Sequence, residues 1–305
     1  MTFRLKILGA NSAAPAFNRN QTSQVLQVHN NYILIDCGEG AQLRMSKARV
    51  KLNKINHIFI SHLHGDHYFG LVGLISTMHL FGRKEDLNIF CPAALEEIIS
   101  LQLKHSETVL NFKINYTFID QMEGDLLFEN KNLTVTKFRL NHSIFCCGFL
   151  FREQPKPVRI NKDKLPDNLS LADIAKLKKG DDIYDDNGKL LYKNSDLTLP
   201  PKISRSYAYC SDTKYDESII PVIKGVDLLY HEATFSKEME ERAGKTFHST
   251  AEQAAKIAKK SKTKKLLIGH YSVRYRELGP LLEEARRIFP ETYLAIEGNF
   301  IDVTE

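Results

Sequence analysis

The chain is predicted to fold as an α/β sandwich, on the first two of three observations. Short apolar runs with strand periodicity recur along its length. Amphipathic helical patterns sit between many of them, the alternation expected of layered α/β folds. Several runs end in histidine or aspartate, where an ionisable group is costly to bury without a partner.

Strands are expected at residues 3–8, 23–28, 32–35, 57–60, 133–140, 206–209, 228–230, 265–268 and 293–295. The first places Phe3, Leu5 and Ile7 on one side and reads as a strand, not a signal peptide. Helices are expected at 69–81, 93–104, 250–260 and 281–288. Ser249, Thr250 and Glu252 offer N-capping chemistry ahead of the apolar face of Ala254, Ala255, Ile257 and Ala258.

A length of 305 residues with 43% hydrophobic content suits one large domain with a substantial core, assigned here to 1–305. One segment departs from the pattern. Between 152 and 202 the apolar periodicity thins, and Pro155, Pro157, Pro166, Pro200 and Pro201 punctuate it. Asp186–Asn187–Gly188, flanked by Ile183–Tyr184 and Leu190–Tyr192, is a hairpin signal within this excursion. The net charge of +5 permits a polyanionic partner without requiring one. No apolar run approaches a membrane span, so a soluble protein with no membrane partner is expected. The five cysteines (Cys37, Cys91, Cys146, Cys147, Cys210) lack CxxC spacing and point to free thiols in a reducing cytoplasm.

The chemistry concentrates in Ser61–His67, SHLHGDH, directly after the apolar run Ile58–Ile60. Imidazoles mixed with a carboxylate suit zinc and similar borderline metals. His62 and His64 alternate along an extended backbone and can face one point. Asp66 and His67, past the turn allowed by Gly65, can face a neighbouring one. That geometry predicts two adjacent metal ions. Three more strand-end residues complete the set: His142, Asp212 and His270. The natural allocation gives His62, His64 and His142 to one ion and Asp66, His67 and His270 to the other, with Asp212 bridging. His29, His57, His79 and His105 lack this context and are read as ordinary histidines.

SHLHGDH followed in order by His142, Asp212 and His270 resembles the metallo-β-lactamase superfamily, which implies a four-layered αβ/βα sandwich with the metals at one edge. Many hydrolases share that fold, so it does not set the chemistry. His231–Glu232–Ala233–Thr234 and His248–Ser249–Thr250 resemble the HEAT and HST signatures of the ribonuclease Z family of tRNA 3′-processing endonucleases. Leu8–Gly9, Arg19–Asn20, Thr22–Ser23 and Asp36–Cys37–Gly38–Glu39 match that family as well. The 152–202 segment falls where the family carries a projecting substrate arm.

The resemblance implies a zinc-dependent endoribonuclease with two zinc ions per subunit, acting on precursor tRNA as a homodimer whose arm serves the partner's active site. Paired zinc ions acidify a water and clamp phosphate oxygens. Asp66, ligand and hydrogen-bond acceptor, is then the expected general base. His248 is the expected general acid or phosphate-binding group, held protonated by Glu232. A water nucleophile predicts a 3′-hydroxyl on the tRNA and a 5′-phosphate on the trailer. Arg274 is a further expected phosphate contact, and Lys176, Lys178 and Lys179 near the arm tip suit the backbone of an A-form duplex. The family's glycine-proline motif at the tip is missing; the stretch reads Leu169–Asp173 before Lys178–Gly180. Lys259, Lys260, Lys262, Lys264 and Lys265 read as a solvated helix end. Two alternatives stand beside this reading. One is another two-metal hydrolase of the fold, a small-molecule phosphodiesterase or thioesterase. The other is an RNA-binding protein with a structural metal. The HEAT and HST signatures and the arm argue against the first, and the complete ligand set against the second.

Overall fold

Two seven-stranded sheets organise a computed structural model that describes residues 2–298 and 300–303. The first part of the chain supplies β1 (Phe3–Gly9), β2 (Ser23–Val28), β3 (Asn31–Cys37), β4 (Ile55–Phe59), β5 (Leu87–Cys91) and β6 (Ile114–Phe118). Helices α1 (Ala41–Lys47), α2 (Gly65–Tyr68), α3 (Leu71–Leu80) and α4 (Ala94–His105) lie between these strands. β7 (Leu126–Glu129), β8 (Leu133–Arg139) and β9 (Cys147–Glu153) follow. An inserted segment contains β10 (Arg159–Ile160), α5 (Leu171–Lys179), β11 (Ile183–Tyr184), β12 (Leu190–Tyr192), α6 (Asn194–Leu197) and β13 (Thr198–Leu199). The chain then makes β14 (Ser206–Cys210), β15 (Leu228–Glu232), α7 (Glu240–Lys245), α8 (Ala251–Ser261), β16 (Lys265–Gly269), α9 (Gly279–Ile288), β17 (Thr292–Leu294) and β18 (Phe300–Asp302).

The strand orders are β18-β1-β2-β3-β4-β5-β6 and β17-β16-β15-β14-β9-β8-β7. In each sheet one half is parallel: β3 to β6 in the first, β14 to β17 in the second. Parallel strands covered on both faces read as continuous apolar runs, and all five residues of β14 and of β15 are buried. Phe3, Leu5 and Ile7 share one core cluster with Phe149, Phe151, Tyr207 and Tyr209 of the opposite sheet. Leu34, Ile58 and Ile89 form the other cluster, with Leu74 and Met78 of α3 and Leu95 and Ile99 of α4. Ala254, Ile257 and Ala258 of α8 and Leu281 of α9 cover the second sheet. The architecture is the four-layered αβ/βα sandwich.

Several elements differ from expectation. The helix read at 69–81 is α3, and a short helix that was not expected, α2, precedes it and joins it through Phe69 and Gly70. A Cβ on Gly70 would lie 2.1 Å from the Gly38 carbonyl oxygen, so this junction needs a residue without one. The cap of α8 uses Gln253 where Glu252 was expected. Thr250 accepts the Gln253 N–H, and the Gln253 side chain returns to the Thr250 N–H. Glu252 instead pairs with Lys256. The strands β5, β6, β7, β9 and β18 and helix α1 carry no periodicity strong enough to have been singled out. All five cysteines are free and buried. No helix among the described residues is long and apolar enough to cross a membrane.

Residues Arg152–Ser204 form a second compact unit. Leu177, Ile183 and Leu197 make its small core, with Leu165, Leu169 and Tyr192 packed against them. A Ser170–Asp173 capping box starts α5, and Gly180 at φ 100° ends it. β11 and β12 form a hairpin, with Gly188 at φ 78° in the turn. Because the unit has its own core, Leu177→Ala should destabilise it locally by about 2–5 kcal/mol. Hydrogen exchange should then accelerate in α5 and stay unchanged in β15. Unchanged exchange in α5 would contradict an independent core.

Candidate metal centre

Most of the site collects at the carboxyl ends of the parallel strands, where open α/β sheets place ligands, with His142 beyond the antiparallel β8 and His248 ahead of α8. Ser61 to His64 leave β4 extended, with His64 at ψ 141° as the last residue before α2. Asp66 and His67 lie in the first turn of α2. The change of direction expected at Gly65 is thus a helical turn, which carries both residues to a second point. His142 follows β8, Asp212 follows β14, Glu232 ends β15, and His270 follows β16. His270 adopts φ 59°, a left-handed backbone that is uncommon for residues with a side chain.

The ligand atoms of His62, His64, His142 and Asp212 lie within 4.8 Å of one another, as do those of Asp66, His67 and His270. His62 Nε2 stands 3.2 Å from His64 Nδ1, and His142 Nε2 stands 3.0 Å from the same atom. On the other side, His67 Nε2 is 3.3 Å from His270 Nε2, and His270 Nε2 is 3.4 Å from Asp66 Oδ2. Asp212 spans the two groups. Its Oδ2 is 3.6 Å from His62 Nε2, while its Oδ1 is 3.4 Å from His67 Nε2 and 3.2 Å from His270 Nε2.

This donor set fits zinc. Nitrogens sharing a tetrahedral ion with bonds of about 2.0–2.1 Å stand about 3.3 Å apart, close to the spacings here. Burial first, and then the neighbouring rings, hold His62 well below the ordinary imidazole range. Burial also lowers His64 and His142, so this trio is neutral, as metal ligands must be. At His67 burial opposes the charged ring, but Asp212, Asp66 and Asp36 outweigh it and raise its pKa well above the usual value. That concentration of negative charge is what divalent cations would neutralise. Asp212 Oδ1, moreover, is buried with no hydrogen-bond partner.

The far nitrogens are also held, which orients the rings and sets their tautomers. His67 Nδ1 meets Asp36 Oδ2 at 2.7 Å, His142 Nδ1 the Phe247 carbonyl at 2.9 Å, and His270 Nδ1 the Thr234 hydroxyl at 2.9 Å. The Ser61 hydroxyl lies 3.0 Å from His62 Nδ1. Asp36 accepts four bonds in all, from Ser61 N, Ser61 Oγ, Tyr209 OH and the His67 ring. The sequence reading gave Asp36 no individual role, although it ends a buried strand as Asp212 does. Thr234 stood out only as the last residue of the HEAT signature, and the Phe247 carbonyl carries no signal in the sequence.

Beside this cluster, His248 Nδ1 lies 2.8 Å from Glu232 Oε1, and the His248 ring stacks on His270 at 5.4 Å. Glu232 is fully buried and also accepts from Thr213 N, Thr234 N and Thr234 Oγ1. Burial works against charging His248, but the charge and hydrogen bond of Glu232, with Asp212 and Asp66, outweigh it and raise its pKa to about 9. Arg274 is exposed, its Nη1 donating to Ser272 Oγ at 3.4 Å. Lys176, Lys178 and Lys179 lie in the last turn of α5, within the inserted unit. His29, His57, His79 and His105 fall in none of the metal-ligand groups found among the described residues.

Over its full length the chain is 51% identical to Ribonuclease Z of Cytophaga hutchinsonii, covering 100% of this chain and 97% of that protein. The chain belongs to the ribonuclease Z family. The structure of the short form of human tRNase Z aligns with 98% of this ribonuclease Z family member and 99% of its own length, with a TM-score of 0.70 at 26% identity. The metallo-β-lactamase fold protein YhfI from Bacillus subtilis aligns with 99% of this chain and 100% of its own, with a TM-score of 0.70 at 19% identity, a likeness of fold alone. Residues 3–187 also place the chain in the family whose model is described as Anti-Pycsar protein Apyc1. That span holds His62, His64, Asp66, His67 and His142 and stops short of Asp212, Glu232, His248 and His270.

The Glu232–His248 pair has a testable pH signature. With its pKa raised to about 9, His248 is protonated at neutral pH. The stability it contributes is complete below the ordinary imidazole value and is lost as pH rises through about 9. Glu232→Gln should move the His248 titration in the metal-free protein down toward the ordinary range, read by NMR of the ring protons. A midpoint left near the original value would show that Glu232 is not the cause.

Proposed function

We propose that this chain is a metal-dependent endoribonuclease that removes the 3′ trailer from precursor tRNA. Two zinc ions per subunit would serve the reaction, leaving a 3′-hydroxyl on the tRNA and a 5′-phosphate on the trailer. The supporting observation is the Asp212 carboxylate, one oxygen facing each imidazole group, with the Glu232–His248 pair beside it. Zinc held by His62, His64, His142 and Asp212, and by Asp66, His67, His270 and Asp212, would supply Lewis acidity and an acidified water.

The protein's own groups would supply the remaining chemistry. Asp66 Oδ2 receives the Ala13 N–H at 2.7 Å. His67 and His270 outweigh burial and hold this carboxylate below its usual range, so it stays ionised. It would orient the attacking water and accept its proton as general base. His248 engages Glu232 through Nδ1, which leaves Nε2 to donate a proton to the leaving 3′-oxygen. Arg274 would contact a phosphate.

Lys176, Lys178 and Lys179 on α5 would grip the phosphate backbone of the tRNA duplex for the partner subunit of a homodimer. Exposed Leu43, Phe69, Leu80 and Phe81 around α1 to α3 offer apolar surface for subunit contact. Five free, buried cysteines fit a reducing cytoplasm.

Purified protein should release a 5′-phosphorylated trailer from a precursor tRNA, lose that activity on zinc chelation and regain it with zinc. Equal or greater turnover of a generic phosphodiester, with no cut in the tRNA, would favour a small-molecule phosphodiesterase instead. His248→Ala should lower kcat by roughly 10²–10⁴-fold with bound zinc unchanged by elemental analysis. Asp212, His248 and His270 also bring ligand atoms within 4.8 Å. Loss of zinc from the His248 variant would therefore make His248 a ligand and not an acid.

A further inference from the structure

A cavity of about 400 Å³ opens beside β1 and the end of α1, and it shares no residue with the metal centre. Lys6, Arg44, Lys47 and Arg49 line it, with Glu297 the one carboxylate in the lining. Glu297 is already engaged, accepting from Asn20 N at 2.5 Å and Asn20 Nδ2 at 2.6 Å, with Arg44 Nη1 at 3.8 Å. Lys6 is only 7% exposed. Its Nζ donates to the Ala48 carbonyl at 3.3 Å and stands 4.4 Å from the centre of the Phe300 ring. Among the described residues, Lys6, Lys47 and Arg49 have no carboxylate partner. A buried ammonium without a counter-ion is costly, and a bound anion would supply one. Arg49 holds φ 55° in the turn that ends α1, closed by Arg49 N–H to Ser46 O and Val50 N–H to Met45 O, and it too lines the cavity.

We propose that this cavity is a second anion site that takes a phosphate group. Its position gives occupancy a consequence. Arg44 also bonds Asn20 Oδ1, so Arg44 and Glu297 together grip Asn20. Asn20 in turn pairs with Asn11 through Asn11 N–H to Asn20 O at 2.8 Å. Two residues on, the Ala13 N–H donates to Asp66. A phosphate that draws on Arg44 therefore acts on the loop that touches the metal centre. The phosphate can come from an RNA backbone or from a small free anion. The RNA source rests on the function proposed above, and the free-anion source does not.

The test uses zinc-loaded protein and the double variant Lys47→Ala/Arg49→Ala, both positions being exposed. With an RNA source, affinity for precursor tRNA should fall about tenfold and the slope of log affinity against log salt should become shallower by about two. Turnover of bis(p-nitrophenyl) phosphate should hold, which also shows that the variant is folded. With a free-anion source, tRNA affinity should hold while calorimetric titration with inorganic phosphate loses one binding site. Lys6→Met should repeat either result, and the exposed pair decides if that buried variant does not fold. Unchanged tRNA affinity together with an unchanged phosphate isotherm overturns the proposal. Failure of the unaltered protein to cut precursor tRNA, with the phosphate site intact, overturns the function proposed above and leaves this site standing.

Discussion

A fully buried carboxylate with no hydrogen-bond donor for one oxygen cannot persist unless positive charge is brought to it. Asp212 is that group, and the molecule is built around its compensation. His62 and His67 come from the first sheet, and His270 comes from the second. The two sheets face each other across an apolar core of Phe59, Phe149, Tyr207 and Tyr209. The hydrophobic packing thereby fixes the separation at which both groups of ligands meet one carboxylate. The electrostatic demand and the apolar core are satisfied by the same juxtaposition.

Orientation of the ligands depends on polar contacts buried behind them. Asp36 ties His67 to Ser61 and Tyr209, so a strand-end carboxylate of one sheet is bonded to a tyrosine of the other. Thr234 joins the Glu232–His248 pair to the candidate ligand cluster, since its hydroxyl meets both Glu232 and the His270 ring. Such networks are costly when half satisfied and rigid when complete. That Glu232 carries four contacts explains why the HEAT segment is tolerated in a wholly buried position. The left-handed backbone of His270 is strain held in place by these partners.

The inserted unit follows a different economy. Its core is three residues with a few partly buried neighbours, and its helix begins with a capping box and ends at a glycine. Local signals of this kind hold a small unit together where hydrophobic area is scarce. The same segment carries the lysines proposed to grip the tRNA backbone.

Much of this was legible in the chain alone. Ionisable residues ending apolar strands marked His142, Asp212 and His270 because an uncompensated charge there is costly. The spacing within SHLHGDH and the turn at Gly188 are likewise local chemistry, readable without a fold. What the tertiary structure decided concerns distance. It determined which oxygen of Asp212 faces which ring, and it formed the helical turn that swings Asp66 and His67 to the second point. It also recruited Asp36, Thr234 and the Phe247 carbonyl, whose roles depend on groups far away in sequence. A carbonyl has no side-chain signature, and a threonine after a strand has many uses. Pairing of neighbouring strands, β3 with β4 and β15 with β16, and the return of the chain between α7 and α8 to the end of β8 place those atoms within bonding reach of an imidazole.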